Sequence, residues 1–210
     1  MGSSQIIKGF AENAFLTRPD YNLNMAWEIF SIFNIYVLVE AIWLILPAYA
    51  ANGLVPLFRG KRRLDGGRKF IDGRPLLGKT KTIEGLFWGT VIGIIIATIE
   101  MSAFPYLPWE LSDRILTIVP MTPMLGFLLG FGSMAGDSAG SFIKRRLNMR
   151  SGQSAPLLDQ LDFMFGAFLF ASLIVTLKIE WVILMAVLTP IFHWLACTIG
   201  YLLKVKKTPW

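Results

Sequence analysis

Residues 136–162 read GDSAGSFIKRRLNMRSGQSAPLLDQLD, and they place three carboxylates and four cations between two strongly apolar segments. Asp137, Ser141, Lys144 and Arg145 are spaced i, i+4, i+7 and i+8, one face of a helix, and Asp159 and Asp162 are spaced i and i+3, again one face. Carboxylates from two helix ends beside a Lys-Arg pair suit a divalent metal carrying phosphates, because Mg²⁺ is commonly held by one or two carboxylates plus phosphate oxygens. A basic loop obeying membrane topology rules asks for Lys and Arg. It gives no reason for three Asp at helical spacing.

The apolar segments on either side decide the fold class. Hydrophobic residues make up 54% of the 210, and the mean hydropathy is +0.56, above the usual range of soluble chains. They come in runs long enough to cross a bilayer, which takes roughly 17–25 residues each. Five such spans are expected within a single all-α membrane domain, at about 25–51, 85–104, 115–135, 161–177 and 179–203. Loops at about 52–84 and 136–160 are expected to form the site. No cleavable signal peptide is expected before the first span. The single Cys197 excludes an internal disulfide and a Cys-rich metal site.

Charge orients the spans. Sixteen of the twenty Lys and Arg follow spans one, three and five; Lys8, Arg18, Arg114 and Lys178 lie on the other side. The positive-inside rule makes the crowded side cytoplasmic, so the amino terminus is expected outside and the carboxyl terminus and both loops inside. The net charge of +6 then speaks of anionic lipid or nucleotide at the cytoplasmic leaflet and says little of nucleic acid.

Within the spans, Gly85, Gly89, Gly93 and Ala97, then Gly126 and Gly130, then Gly132 and Gly136, recur every four residues, ridges that let helix backbones approach closely. Glu40 is the ionisable residue near the middle of span one. It is open to a part in the site, a cavity lining, a pairing with His193, or a protonated hydrogen bond between helices. His193 itself reads as structural.

Residues 73–80, GRPLLGKT, match the P-loop pattern literally. That motif needs a strand before it, a helix after it and a parallel sheet around it, and this loop is too short to supply them. Phosphate affinity survives the loss of the fold. Lys79, Lys81 and Thr82 precede a helix whose amino terminus offers bare N–H groups, and Arg74 suits bidentate phosphate contact.

PAYAANGLVPLF at 47–58, FIDGRPLLGKTKTIEG at 70–85, GDSAGSFIKRRL at 136–147 and PLLDQLDFMFGA at 156–167 together resemble the archaeal CDP-archaeol synthase family, a compact relative of the phosphatidate cytidylyltransferases. The resemblance implies Mg²⁺-dependent transfer of a cytidylyl group from CTP to an ether-linked isoprenoid glycerol phosphate, with release of pyrophosphate. It implies Asp137, Lys144, Asp159 and Asp162 as catalytic, with the three Asp as metal ligands. It also implies Asn52, Arg74, Lys79, Lys81, Thr82, Ser141, Lys144, Arg145 and Gln160 as substrate-binding. Asn52 reads equally as an interfacial helix end. The chain departs from many relatives at Lys79 and Thr80, and from the larger cytidylyltransferases at Ser154, Ala155, Pro156 and Gln160.

The expected partners are CTP, the lipid phosphate and the bilayer, with room for a homodimer and none for nucleic acid. Two other classes compete. One is a CTP-dependent polyprenol kinase. The other is a small transporter, which the placement of charge at the helix ends and the lack of an internal repeat disfavour.

Overall fold

The computed structural model describes residues 34–58, 60–107, 110–111 and 114–202. Five long helices carry the fold among them: α1 (Ile35–Leu54), α2 (Ile83–Ala103), α3 (Pro123–Arg146), α4 (Pro156–Ala171) and α5 (Ile179–Leu202). A 3₁₀ turn, Val55–Phe58, extends α1. Between α2 and α3, β1 (Glu110–Leu111) pairs antiparallel with β2 (Arg114–Ile115), a two-residue ribbon that an all-α reading did not include. Ile35–Phe58 and Ile83–Tyr106 are long and apolar enough to cross a membrane, and Ile179–Phe192 is a shorter apolar stretch.

Helix α3 is central, packing against α1, α2 and α4, while α5 packs on α1 and α4. The glycine ridges are its contact surfaces. A Cβ on Gly93 would lie 2.6 Å from the Gly126 carbonyl and 2.7 Å from the Gly130 Cα. On the other side Gly132 and Gly136 meet Gly166 backbone to backbone. Neither seam admits a larger residue. The core fills the space between with Leu44, Ile45, Leu125, Leu129, Met164, Trp181 and Met185.

Helices α3 and α4 differ from the apolar runs at both ends. Helix α3 starts at Pro123, not 115, because Pro120 and Pro123 interrupt the run and the Thr122 hydroxyl caps the new start, accepting from the Leu125 N–H at 3.1 Å. The helix then continues through Asp137 to Arg146, so the expected loop at 136–160 shrinks to 147–155. Helix α4 begins at Pro156 and ends at Ala171, short of 177. The expected start of span one at 25 and the carboxyl-terminal residues from 203 lie outside the described residues, as do the side chains of His193 and Cys197.

Glu40 is structural. It is buried, its Oε1 accepts from the Thr117 N–H at 2.7 Å, and its Oε2 accepts from Lys178 Nζ at 2.8 Å and Trp181 Nε1 at 3.0 Å. Trp43 Nε1 donates to the Val119 carbonyl at 3.1 Å beside it. Together these bonds fasten α1 to the segment before α3 and to the start of α5.

Candidate active site

At the opposite end of α1 the two loops close on one another. Loop one, 60–82, is organised by Asp65, a residue the sequence pattern did not single out. Its carboxylate accepts from the N–H groups of Gly67 at 2.8 Å and of Leu77 and Gly78 at 3.1 Å, and Arg63 pairs with it. Burial pushes the Asp65 carboxyl up, but these three N–H bonds and Arg63 outweigh it and hold its pKa at about 2. The Asp-Gly-Gly turn signal at 65–67 was the clue available. Leu64 N–H bonds to the Lys81 carbonyl at 2.8 Å and Ile83 N–H to Arg62 at 2.9 Å, bringing the loop back to α2. No parallel sheet surrounds Gly73 to Thr80 among the described residues, so the P-loop match is coincidental.

Loop two follows the end of α3, where Asn148 turns the chain with φ 62° and Met149 N–H bonds back to the Lys144 carbonyl at 3.0 Å. The loops are tied at two points. Lys79 N–H donates to Ser151 Oγ at 3.0 Å, above Gly78, whose φ of 109° suits glycine. Arg146 donates to the Pro75 carbonyl at 2.6 Å, pairs with Asp72 and stacks over Phe70 and Phe142. Arg74 belongs to this brace, donating to the Arg146 carbonyl and lying 3.9 Å from Asp72. It joins the loops and does not line the cleft they enclose.

That cleft, about 460 Å³, brings together Asn52, Lys79, Lys81, Thr82 and Asp137. Thr82 caps α2, its hydroxyl accepting from the Gly85 N–H at 3.1 Å. Lys81 Nζ lies 2.5 Å from Asp137 Oδ2, and Lys144 is ion-paired with Asp159. Asp159 also accepts from the Ala155 N–H at 2.9 Å, which fixes it in the first turn of α4. Asp162 is within electrostatic reach of Asp137, Asp159 and Lys81. Its Oδ1 accepts from the Phe163 N–H at 2.6 Å, and its buried Oδ2 has no partner. Ser141 and Gln160 are buried on the same helices. So is Arg145, whose Nε has no hydrogen-bond partner.

Among the described residues no three His, Cys, Asp or Glu form a closed metal cage. The donor set fits a metal shared with phosphate nonetheless. Two carboxylates already hold cations, in the form of lysine ammonium groups, and a third keeps a buried oxygen without a donor.

A family model described as CarS-like, CDP-archaeol synthase, matches residues 33–210. The chain belongs to this family. It is 44% identical over 173 residues to the CDP-archaeol synthase of Methanopyrus kandleri, covering 81% of this chain and 92% of that one. It is 40% identical over 171 residues to that of Pyrococcus abyssi, covering 81% and 97%. A solved structure described as an intramembrane enzyme for archaeal membrane lipid biosynthesis shares 36% identity and a TM-score of 0.64, over 75% of this chain and 92% of that chain. With the two long apolar helices, this likeness puts the family member in a membrane.

Proposed function

We infer that the chain transfers the cytidylyl group of CTP to an isoprenoid ether-linked glycerol phosphate, giving a CDP-activated lipid and pyrophosphate. Family membership supports the reaction. The observation that carries the site is the pairing of Lys81 with Asp137 in a cleft of nucleotide size, with Asp162 in electrostatic reach of Asp137 and of Asp159, which pairs with Lys144.

The lipid phosphate oxygen attacks the α-phosphorus, a new P–O bond forms, and the bond from that phosphorus to the oxygen bridging the β-phosphate breaks. The electron pair leaves with pyrophosphate. The attacking phosphate is already ionised at neutral pH, so no protein nucleophile and no general base are required. Catalysis then rests on positioning and charge. Asp137, Asp159 and Asp162 would hold Mg²⁺, which supplies charge neutralisation at the α-phosphate and the leaving group. Lys79 and Lys81 face the cleft and offset the triphosphate charge, and the capped start of α2 adds its N–H dipole end. Lys144 and Arg145 add charge from α3, while Asn52, Ser141 and Gln160 offer polar contacts for ribose, base or lipid headgroup.

Incubation with each nucleoside triphosphate and a lipid phosphate should release pyrophosphate with CTP, and only when the lipid phosphate is present. Consumption of the dephosphorylated lipid with accumulation of free CDP would instead mark a γ-phosphoryl transfer, and the kinase reading would replace this one.

Five membrane-crossing helices, with the amino terminus outside and the carboxyl terminus and active site cytoplasmic, complete the proposal. The distribution of Lys and Arg supports it, as do the hydrogen bonds that tie loop 60–82 to Ser151 and to Arg146 at the end of α3. In a Cys197→Ser background, Arg68→Cys and Ser154→Cys should both react with an impermeant thiol reagent from the cytoplasmic side. Labelling of the two from opposite faces breaks the topology.

A further inference from the structure

The cleft is not the larger cavity in this fold. A furrow of about 720 Å³ opens between α3 and α4, and its lining is apolar but for Asp162. Ala135, Gly136, Ala139 and Gly140 on α3 and Gly166 on α4 supply little side-chain bulk along it, while Leu161, Phe165 and Leu169 rise beside them. From Leu157 to Phe170 it follows α4 for about 20 Å at 1.5 Å per residue, two-thirds of the roughly 30 Å hydrocarbon thickness of a bilayer.

Cleft and furrow lie on opposite flanks of α3. Successive residues of a helix rotate by about 100°, so Met134 and Asp137 face the polar cleft while Gly136, Gly140 and Ile143 line the furrow. Helix α3 is thus a partition with one gap. At Gly140 a Cβ would collide with the Asp162 carboxylate, so the absence of a side chain there lets Asp162 pass over α3 from the furrow towards the face that carries Asp137. The Oδ2 without a donor sits at this gap.

We propose that the furrow receives one isoprenoid chain of the lipid phosphate, holding its headgroup at Asp162 so that the phosphate meets the nucleotide from the far side of α3. The assignment rests on the activity proposed above. The occupant follows from two features together: an apolar trough at bilayer depth, and its continuity with the carboxylates where the phosphate must react. A lipid bound there presents its phosphate at the gap while its chain stays out of water.

The test compares a lipid phosphate with long isoprenoid chains against a water-soluble analogue with one short prenyl chain. Ala139→Phe places a ring in the furrow at a position with no assigned part in binding or catalysis. It should raise KM for the long-chain substrate about tenfold, the scale of discrimination by a hydrophobic pocket. KM for CTP and for the short analogue should stay within about twofold. Equal losses with both lipids, or none, overturn the assignment. It also falls if the variant dissociates a dimer while its kinetics are unchanged, which would make the furrow an interface between two copies.

A second measurement uses the unmodified chain in bilayers, with a long-chain lipid phosphate carrying a photoreactive diazirine at the chain end. Crosslinks should concentrate at Leu169 and Phe170 and be displaced by unlabelled lipid phosphate, not by bulk lipid. Labels spread evenly over exposed Leu46, Ile95 and Leu169 overturn the proposal. Absence of pyrophosphate from both the long-chain substrate and the short analogue with unmodified protein would strike the activity itself, separately from the furrow.

Discussion

Helix α1 runs from one carboxylate site to another of opposite character. At its start Glu40 is buried with both oxygens occupied, by a backbone N–H, an ammonium and an indole. Beyond its far end, Asp137 and Asp159 each pair with one lysine, and Asp162 keeps a buried oxygen without a donor. A buried acceptor without a partner costs about 1–3 kcal/mol, so a fold tolerates it where something else completes it. Saturation marks the fastening. At the far end of α1, the open oxygen of Asp162 lies among the carboxylates of the candidate site.

Three experiments press on that contrast. The largest effect belongs to the incomplete end, where Asp137→Asn or Asp159→Asn keeps the shape and removes the charge. Turnover should fall by about 10² or more, as when a main electrostatic contact to a transition state is lost, while thermal unfolding changes little. Near-normal turnover at saturating Mg²⁺ in either variant would end the metal assignment.

At the saturated end the expectation reverses. Glu40→Gln should destabilise by about 1–3 kcal/mol, because Lys178 and Trp181 lose a charged acceptor, with kcat per folded molecule unchanged. A variant of full stability but low turnover would erase the distinction between the two ends.

Asp65 sharpens it from a third position, a saturated carboxylate within the site's own loop. Its folded pKa of about 2 lies below the ordinary carboxylate value, so its contribution is complete above pH 4 and disappears as pH falls from 4 to 2. The linked stability is on the order of 2 kcal/mol. Acid unfolding of the native chain should steepen over that interval, and Asp65→Asn should flatten it. Superimposable acid profiles would show that Asp65 does not hold the loop.

What could be read in the sequence divides along the same line. Local patterns carried the helices and the clustering of Asp137, Lys144, Asp159 and Asp162, because i+3, i+4 and i+7 spacing puts side chains on one face whatever the surroundings. Hydropathy misplaced the ends of α3 because Ile115–Val119 is as apolar as a helix interior while its backbone is not helical, and because the polar stretch to Arg146 is helical despite its charge. Asp65 was hidden among nine cations, where one carboxylate reads as a solubilising residue. The partners of Glu40 come from 77, 138 and 141 residues away, and no spacing rule reaches that far. Arg74 carried the signature of a phosphate ligand, but a guanidinium fork serves carbonyl and carboxylate oxygens equally well.

The seam of Gly132, Gly136 and Gly166 has a mechanical consequence. Side chains between helices act as cushions that rotamer changes can compress; here backbone rests on backbone, and α3 and α4 move as a single stiff beam. Membranes change thickness with their lipid composition, and helices answer by tilting. A beam tilts whole. In the five-helix topology proposed above, that seam would insulate the distance from Asp137 to Asp159 and Asp162 from the bilayer, so that the site keeps its geometry while the membrane changes around it.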